Sequence, residues 1–400
     1  MSGARVLVTG ASIAGPALAH WLHRRGAEVT VVERAPDLRP GGQAVDARGV
    51  AREIIRRMGL DDAVRAARTE TAGAYTVDAD GNVLETFSAE DDGGDGYISE
   101  IEILRGDLSR VLHDDTRDGV EYVFGDRITE LTQDADGVDV TFAGGDRRRF
   151  DLVIGADGLH SALRAMAFGP HEQYVRHLGL VLAFYSVPNE FGLDRWVYDY
   201  QHQASGRSAL LRPIHDAEQA MAMFSFPSAD FDVDHRDVAA QKDLLRERVA
   251  DLGWLTPRVL AHLDDTPDFY LDQVAQVVMH RWSNGRVGLL GDAAFSSSPM
   301  SGGGTGLALV GAYLLAGELA SAGWDPEAGF AAYEARMRPI VEANQEIGRM
   351  HVQSLSAPDP DAGPAPEPDM AALMEVVERA INGVELPDYA GVPDSRSPRG

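Results

Sequence analysis

The chain has 400 residues, 44% of them hydrophobic and 25% charged, with a formal net charge of −27. A field of that sign repels phosphate backbones and anionic headgroups, which argues against nucleic acid and membrane surfaces as partners. Cysteine is absent and Lys242 is the single lysine, so disulfides, thiolate nucleophiles and cysteine-bound metals are excluded and lysine chemistry is confined to one position. The length favours two domains over one. The N-terminus enters an apolar strand pattern without the features of a signal peptide, and no run approaches the ~18 apolar residues of a membrane span. The expectation is a soluble, cytoplasmic protein.

In chain order, a short apolar run at Arg5-Val6-Leu7-Val8-Thr9 meets Gly10. A helical pattern from Gly15 to Arg25 then stops at Gly26, a C-cap residue, and an apolar strand at Val29 to Val32 follows. Another helix fits Val50 to Met58. Between Thr71 and Glu100 the texture changes to alternating strands around an Asp80-Gly81 turn, which is hairpin spacing. Leu104 to Asp115 is helical. A meander follows at Glu121 to Phe124, Ile128 to Gln133 and Val138 to Phe142, before the buried parallel-type strand Asp151 to Gly155. Leu178 to Met279 predicts strands with one helix near Val238 to Leu252; Ala220 to Phe226 alternates too weakly to show which face is buried. Gly288 to Leu290 is a further buried strand. Helices are predicted over Thr305 to Gly323 and Pro326 to His351, then a Pro-, Asp- and Ala-rich linker from Ser356 to Asp369 and a short helix at Met370 to Asn382.

Gly10-Ala11-Ser12-Ile13-Ala14-Gly15 stands between a strand and a helix, as a dinucleotide fingerprint requires. Gly10 permits the tight turn, and the N–H groups of the following helix offer a positive end to a pyrophosphate through Ala14 and Gly15. Ser12 replaces the middle glycine that lets backbone approach phosphate. Glu33, 18 residues beyond Gly15, closes the second strand, where a carboxylate accepts from ribose hydroxyls and disfavours a 2′-phosphate. A short-chain dehydrogenase has a similar turn but needs a Tyr-x-x-x-Lys pair, and Val238 stands four residues before Lys242.

Two further motifs carry a family resemblance. Asp151 to Arg164, with Asp157-Gly158 at its centre, resembles the Asp-Gly motif of the class A FAD-dependent monooxygenases, the para-hydroxybenzoate hydroxylase type. Gly288-Leu289-Leu290-Gly291-Asp292-Ala293-Ala294, followed by Pro299-Met300-Ser301-Gly302-Gly303-Gly304-Thr305-Gly306, resembles their Gly-Asp motif. The three motifs run in family order from residue 6 to about 320. The resemblance implies an α/β fold, with an FAD-binding Rossmann-like domain, a β-rich substrate domain (the para-hydroxybenzoate hydroxylase fold) and C-terminal helices. Residues 1–70, 98–177 and 280–325 then form the FAD-binding domain, and 71–97 with 178–279 the substrate sheet. Residues 326–355 make a C-terminal helix, and 356–400 a linker, short helix and tail.

By the same resemblance Asp292 faces a ribityl hydroxyl, and Gly302, Gly304 and Thr305 lay backbone against the flavin pyrimidine edge. Glu33-Arg34 matches the pair near adenosine, and Arg105 matches a cofactor arginine. Gly41 to Asp46 resembles the segment beside the isoalloxazine in the tetracycline-inactivating subgroup, which puts Asp46 near FAD. Two departures are Gly303 and Gly306, where the family often has Gln and Asn, and Phe295, where it commonly has His. The implied reaction uses FAD, NADPH or NADH as transient co-substrate, and O₂, and it hydroxylates or epoxidises a small aromatic or polyketide-like molecule through a flavin C4a-hydroperoxide. The flavin carries the chemistry and no protein acid or base is assigned. The alternative is a non-oxygenating cyclase or reductase on the same scaffold. Tyr198, Arg212, Met223, Phe224 and Phe226 are the expected substrate contacts, in a monomer or homodimer without metal.

Overall fold

A computed structural model describes residues 3–89, 99–214, 218–229, 231, 233, 234, 237–355 and 370–389. The expected linker at 356–369, the last part of the first hairpin segment (90–97) and the tail beyond 389 lie outside the described residues.

The nucleotide half is built on a six-stranded sheet. Arg5–Thr9 lies at its centre, parallel to Glu28–Glu33 on one side and to Leu152–Gly155 on the other. Glu121–Phe124 and Val287–Leu289 extend the two flanks, and the short strand Ser283–Asn284 closes one edge antiparallel. Val6, Leu7, Val8, Leu152, Val153 and Ile154 have no exposed surface. Such unbroken apolar runs belong to parallel strands covered on both faces, which is why they were readable.

Helix Ala14–Arg24 packs on helix Gly304–Ser321, which packs in turn on the long helix Pro326–Leu355. The middle helix is apolar all round. By length and composition it could cross a membrane, contrary to the expectation of no such run, and 72% of it is buried in the protein. A helix hydrophobic on every side and enclosed by others is a core helix.

The second sheet has seven strands in the order Tyr270–Val277, Val175–Pro188, Gln219–Pro227, Arg207–Pro213, Trp196–His202, Gly73–Val77 and Val83–Ser88. The chain thus enters it twice, and the returning strand Trp196–His202 pairs parallel with Gly73–Val77. Phe224 lies opposite Ala183 and Ala209, so these share a face with Phe226, Tyr185, Tyr198 and Tyr200. That face is covered by Leu245 and Val249 of helix Val238–Val249 and by Val259 and Leu263. Met223 lies opposite Phe184 and Leu210 on the other face, which also carries Leu182 and Arg212. Both faces are buried, and this explains the weak alternation of Ala220 to Phe226.

The helix near Val238 ends at Val249, short of the expected Leu252, and a separate turn of helix, Thr256–Leu260, follows it. The long strand begins at Val175, three residues before the expected Leu178. Ala44–Asp46 and Glu102–Leu104 pair antiparallel in a separate two-stranded ribbon that no local pattern in the chain announces.

Candidate active site

The Gly10 turn is possible only without side chains. Its φ is +95°, and a Cβ there would stand 2.5 Å from the carbonyl oxygen of Ala156. At Gly15 a Cβ would meet the Gly10 carbonyl oxygen at 1.8 Å, so helix Ala14–Arg24 starts directly under the turn. No side chain caps this helix, which leaves its first N–H groups to a ligand. Ser12, in the place of a middle glycine, has a use: its Oγ accepts from Nη1 of Arg105 at 3.0 Å. Burial lowers the pKa of Arg105 and Arg39 adds repulsion, yet the group stays charged. A Cβ on Gly42 would lie 2.8 Å from Arg105 Nε, so the bare backbone at Gly42 makes room for the guanidinium.

Glu33 is held from both ends of its carboxylate. Oε2 accepts from Ala11 N and Oε1 from Ala35 N, each at 2.9 Å. Asp157 is a loop-ordering group: Oδ1 accepts from Ser161 Oγ at 2.6 Å, and Oδ2 from the N–H groups of Ala162 and Leu163 at 2.8 and 3.1 Å. Ser161 in turn caps helix Ala162–Phe168 through Arg164 N. Asp157→Ala should therefore lower stability by about 2 kcal/mol through the lost helix-end bonds, measured as a shift in the urea midpoint.

Asp292 follows Gly291, just beyond the end of strand Val287–Leu289 of the six-stranded sheet, and its side chain opens into the cavity. Burial raises its pKa above the usual carboxylate range, and a hydrogen bond from Ser296 opposes this only in part. Beyond it, Gly302 (φ +67°) and Gly303 lead into helix Gly304–Ser321, whose N-terminus also lacks a side-chain cap. A Cβ on Gly303 would come within 1.8 Å of Asn344 Oδ1. Asn344 thus occupies the space a larger residue at 303 would need, and its Nδ2 donates to Ile340 O and Ala380 O at 2.9 and 2.8 Å.

These pieces line one cavity of about 2110 Å³. Drug-sized ligands need roughly 300–1,000 Å³, so the space suits a dinucleotide together with a second molecule. Gly10, Ser12, Ala14, Glu33, Arg34, Asp46, Arg105, Asp157, Asp292, Gly302, Gly304 and Thr305 all reach its wall. Gly15 does not; it lies beneath the turn. Of the expected substrate contacts only Met223 lines the cavity. Tyr198, Phe224 and Phe226 are corrected to the opposite, helix-covered face of the sheet. Arg212 is on the cavity-side face, but its Nη2 turns aside to Glu102 and Thr71.

The sheet wall is instead made by Leu182, Phe184, Met223 and Tyr270. Phe184 and Tyr270 stack at 4.6 Å, with an interplanar angle of 23°. Burial and Asp272 raise the Tyr270 pKa, so the phenol stays neutral. Asp272 Oδ2 joins Tyr270 (3.3 Å) to His160 of the Asp-Gly loop (2.6 Å) and so bridges the two sheets. Val377, Ala380 and Ile381 of helix Met370–Asn382, to which the sequence assigned no chemistry, form another part of the wall. Only their tertiary setting marks these residues.

Residues 3–347 match the family model described as "FAD binding domain". An uncharacterized protein of Mycobacterium tuberculosis (strain ATCC 25618 / H37Rv) is 43% identical over 385 residues, covering 96% of this chain and 99% of that protein. A flavin-dependent monooxygenase of Legionella longbeachae serogroup 1 (strain NSW150) is 38% identical over 385 residues, covering 96% and 98%. The crystal structure of the tetracycline destructase Tet(55) superposes with a TM-score of 0.85 at 38% identity, covering 97% of this chain and 99% of that one. With its α/β FAD-binding domain and second β-sheet, the chain belongs to the class A FAD-dependent monooxygenase family, in the neighbourhood of the tetracycline destructases.

Proposed function

We propose that the protein uses NADPH or NADH and O₂ to place one oxygen atom on a small aromatic or polyketide-like substrate held between FAD and the second sheet. The observation that carries this reading is that one continuous cavity joins the dinucleotide turn to the apolar wall of Leu182, Phe184, Met223 and Tyr270. When bound, FAD supplies the activation of O₂ and the transfer of its oxygen to an electron-rich carbon.

The chain's own residues bind and orient. The Gly10–Ile13 turn and the N-terminus of helix Ala14–Arg24 would hold the pyrophosphate with Arg105. Glu33 and Arg34 would hold the adenosine side, and Asp292 the ribityl chain. Gly302, Gly304 and Thr305, at a helix N-terminus, would favour negative charge on the pyrimidine edge. The apolar sheet wall excludes water from the reacting centre. The nicotinamide would visit transiently, since the sequence carries one dinucleotide fingerprint. We assign 1–70, 98–177 and 280–325 to cofactor binding, and 71–97 with 178–279 to the substrate side.

The test is nicotinamide consumption by the purified yellow protein against a panel of tetracyclines, phenols and phenolic polyketides. The expected result is a compound that accelerates NADPH or NADH oxidation and disappears in step with it. Nicotinamide oxidation unaffected by every member, or a converted product that has gained no oxygen, would favour the cyclase or reductase reading instead.

A further inference from the structure

The cofactor reading gives no chemistry to a charged cluster that reaches the cavity wall at Asp46 and Arg48. Strands Ala44–Asp46 and Glu102–Leu104 pair antiparallel, with Asp46 directly opposite Glu102. Like charges in that relation disfavour one another's ionised form. Glu102 is buried and clamped. Arg212 donates to Oε1 through Nη2, and the hydroxyls of Thr69 and Thr71 donate to the same oxygen, each at 2.5 Å. Asp46, by contrast, lines the cavity. Its Oδ2 accepts from Arg48 Nη2 at 2.9 Å, while Oδ1 has no bond from a described residue.

The two carboxyls are driven apart. Burial raises Asp46; Arg48 pulls it down, Glu102 pushes it up again, Arg212 opposes, and the balance lies above the usual range. Burial also raises Glu102, but the charge of Arg212 and the three donors outweigh it and hold Glu102 below the usual range. A pair split in this way has one member fixed as an anion and one free to gain and lose a proton. The charged groups facing Asp46 are Arg48 just beyond its own strand, Glu102 on the paired strand and Arg212 from the seven-stranded sheet.

We propose that Asp46 exchanges a proton through Oδ1 with the ligand bound in the cavity, and that Glu102 and Arg212 are positioning residues that set how tightly the proton is held. The step is proton transfer alone. The O–H bond at Oδ1 breaks as one forms on a ligand oxygen or nitrogen, and the reverse step restores it. This rests on FAD occupying the cavity, but not on any transfer of oxygen.

The test is the FAD dissociation constant of the full-length protein, read by flavin fluorescence from about pH 4 to about pH 9, a span that covers raised carboxyl values. The wild type should show an inflection above the ordinary carboxylate range. Asp46→Asn should abolish it, whereas any titration of Asp292, the other cavity carboxyl raised by burial, stays in place in all of these variants. Arg48→Gln removes a positive neighbour and should displace it to higher pH; Glu102→Gln removes a negative one and should displace it to lower pH, each by about one unit. A purely structural role would change affinity by one factor at every pH and displace nothing. The proposal is overturned if the inflection is missing from the wild type, persists in Asp46→Asn, or fails to move oppositely in the other two variants. Should Glu102→Gln not fold, Asp46→Asn and Arg48→Gln decide. Failure of every compound to be oxygenated would count against the proposed reaction and leave this result untouched.

Discussion

Gly10→Ala is expected to leave a folded protein that binds FAD roughly a hundredfold more weakly. The backbone there sits at φ +95°, and the new Cβ would lie 2.5 Å from a carbonyl oxygen of a neighbouring buried strand end. Neither atom can give way cheaply: Ala156 follows the central strand Leu152–Gly155, and Gly10 N donates to Val32 O at 2.8 Å. The turn must therefore shift outward, into the space where a pyrophosphate approaches the helix N-terminus. A loss of about 3 kcal/mol, or roughly a hundredfold in dissociation constant, follows from strain and misplaced donors together. Fluorescence titration of apoprotein with FAD measures it, with circular dichroism to show the fold. Gly59→Ala is the control. Its φ of +78° makes the substitution strained, but a Cβ there meets nothing within 4 Å, and Gly59 is not part of the cavity wall. It should lose stability and keep FAD. If both variants bind FAD like the wild type, the Gly10 turn is not the pyrophosphate site.

Glu102→Ala should be among the most destabilising single changes in the chain. It strips a buried guanidinium of its counter-ion and leaves Thr69 and Thr71 without their shared acceptor. Breaking a buried pair by removing one partner costs about 3–5 kcal/mol, because the remaining charge is uncompensated. Arg212→Met in the same chain removes that charge and should recover a large part of the loss, which a double-mutant cycle in urea would show. The pH dependence has a definite sign. The folded pKa of Glu102 is lowered, so its contribution is fully present above the unfolded value of about 4.3 and is lost as pH falls through the folded value. The stability gap between wild type and Glu102→Ala should therefore narrow in acid. A gap that is constant or widens there would mean that Glu102 acts by packing alone.

The cofactor half of this site could be read from the chain because its signals are local. Strand, Gly10, helix and Glu33 follow one another within a single β-α-β unit, and Asp157 and Asp292 each stand shortly after a buried strand. The substrate half was less legible for a physical reason. In a sheet buried on both faces, alternation carries no sign, so Phe224 and Met223 look equally suited to a ligand while register puts them on opposite sides. Residue type misled at Arg212, since an arginine fits an anionic ligand and a buried glutamate equally well. The family resemblance marks Arg105 as a candidate cofactor arginine, but its tie to Ser12 spans 93 residues and is visible only in the fold. Helix Met370–Asn382 was expected as a helix and found as one, whereas its place on the cavity wall depends on Asn344 and Gly303, far away in sequence.

The central claim is oxygen transfer, and the most direct measurement is turnover under ¹⁸O₂ with NADPH or NADH and the compound that best accelerates nicotinamide oxidation. Mass spectrometry of the product should show one atom of ¹⁸O in the organic molecule, with label from H₂¹⁸O absent in the converse experiment. A product without ¹⁸O, with the electrons recovered as hydrogen peroxide or water, would contradict the monooxygenase account.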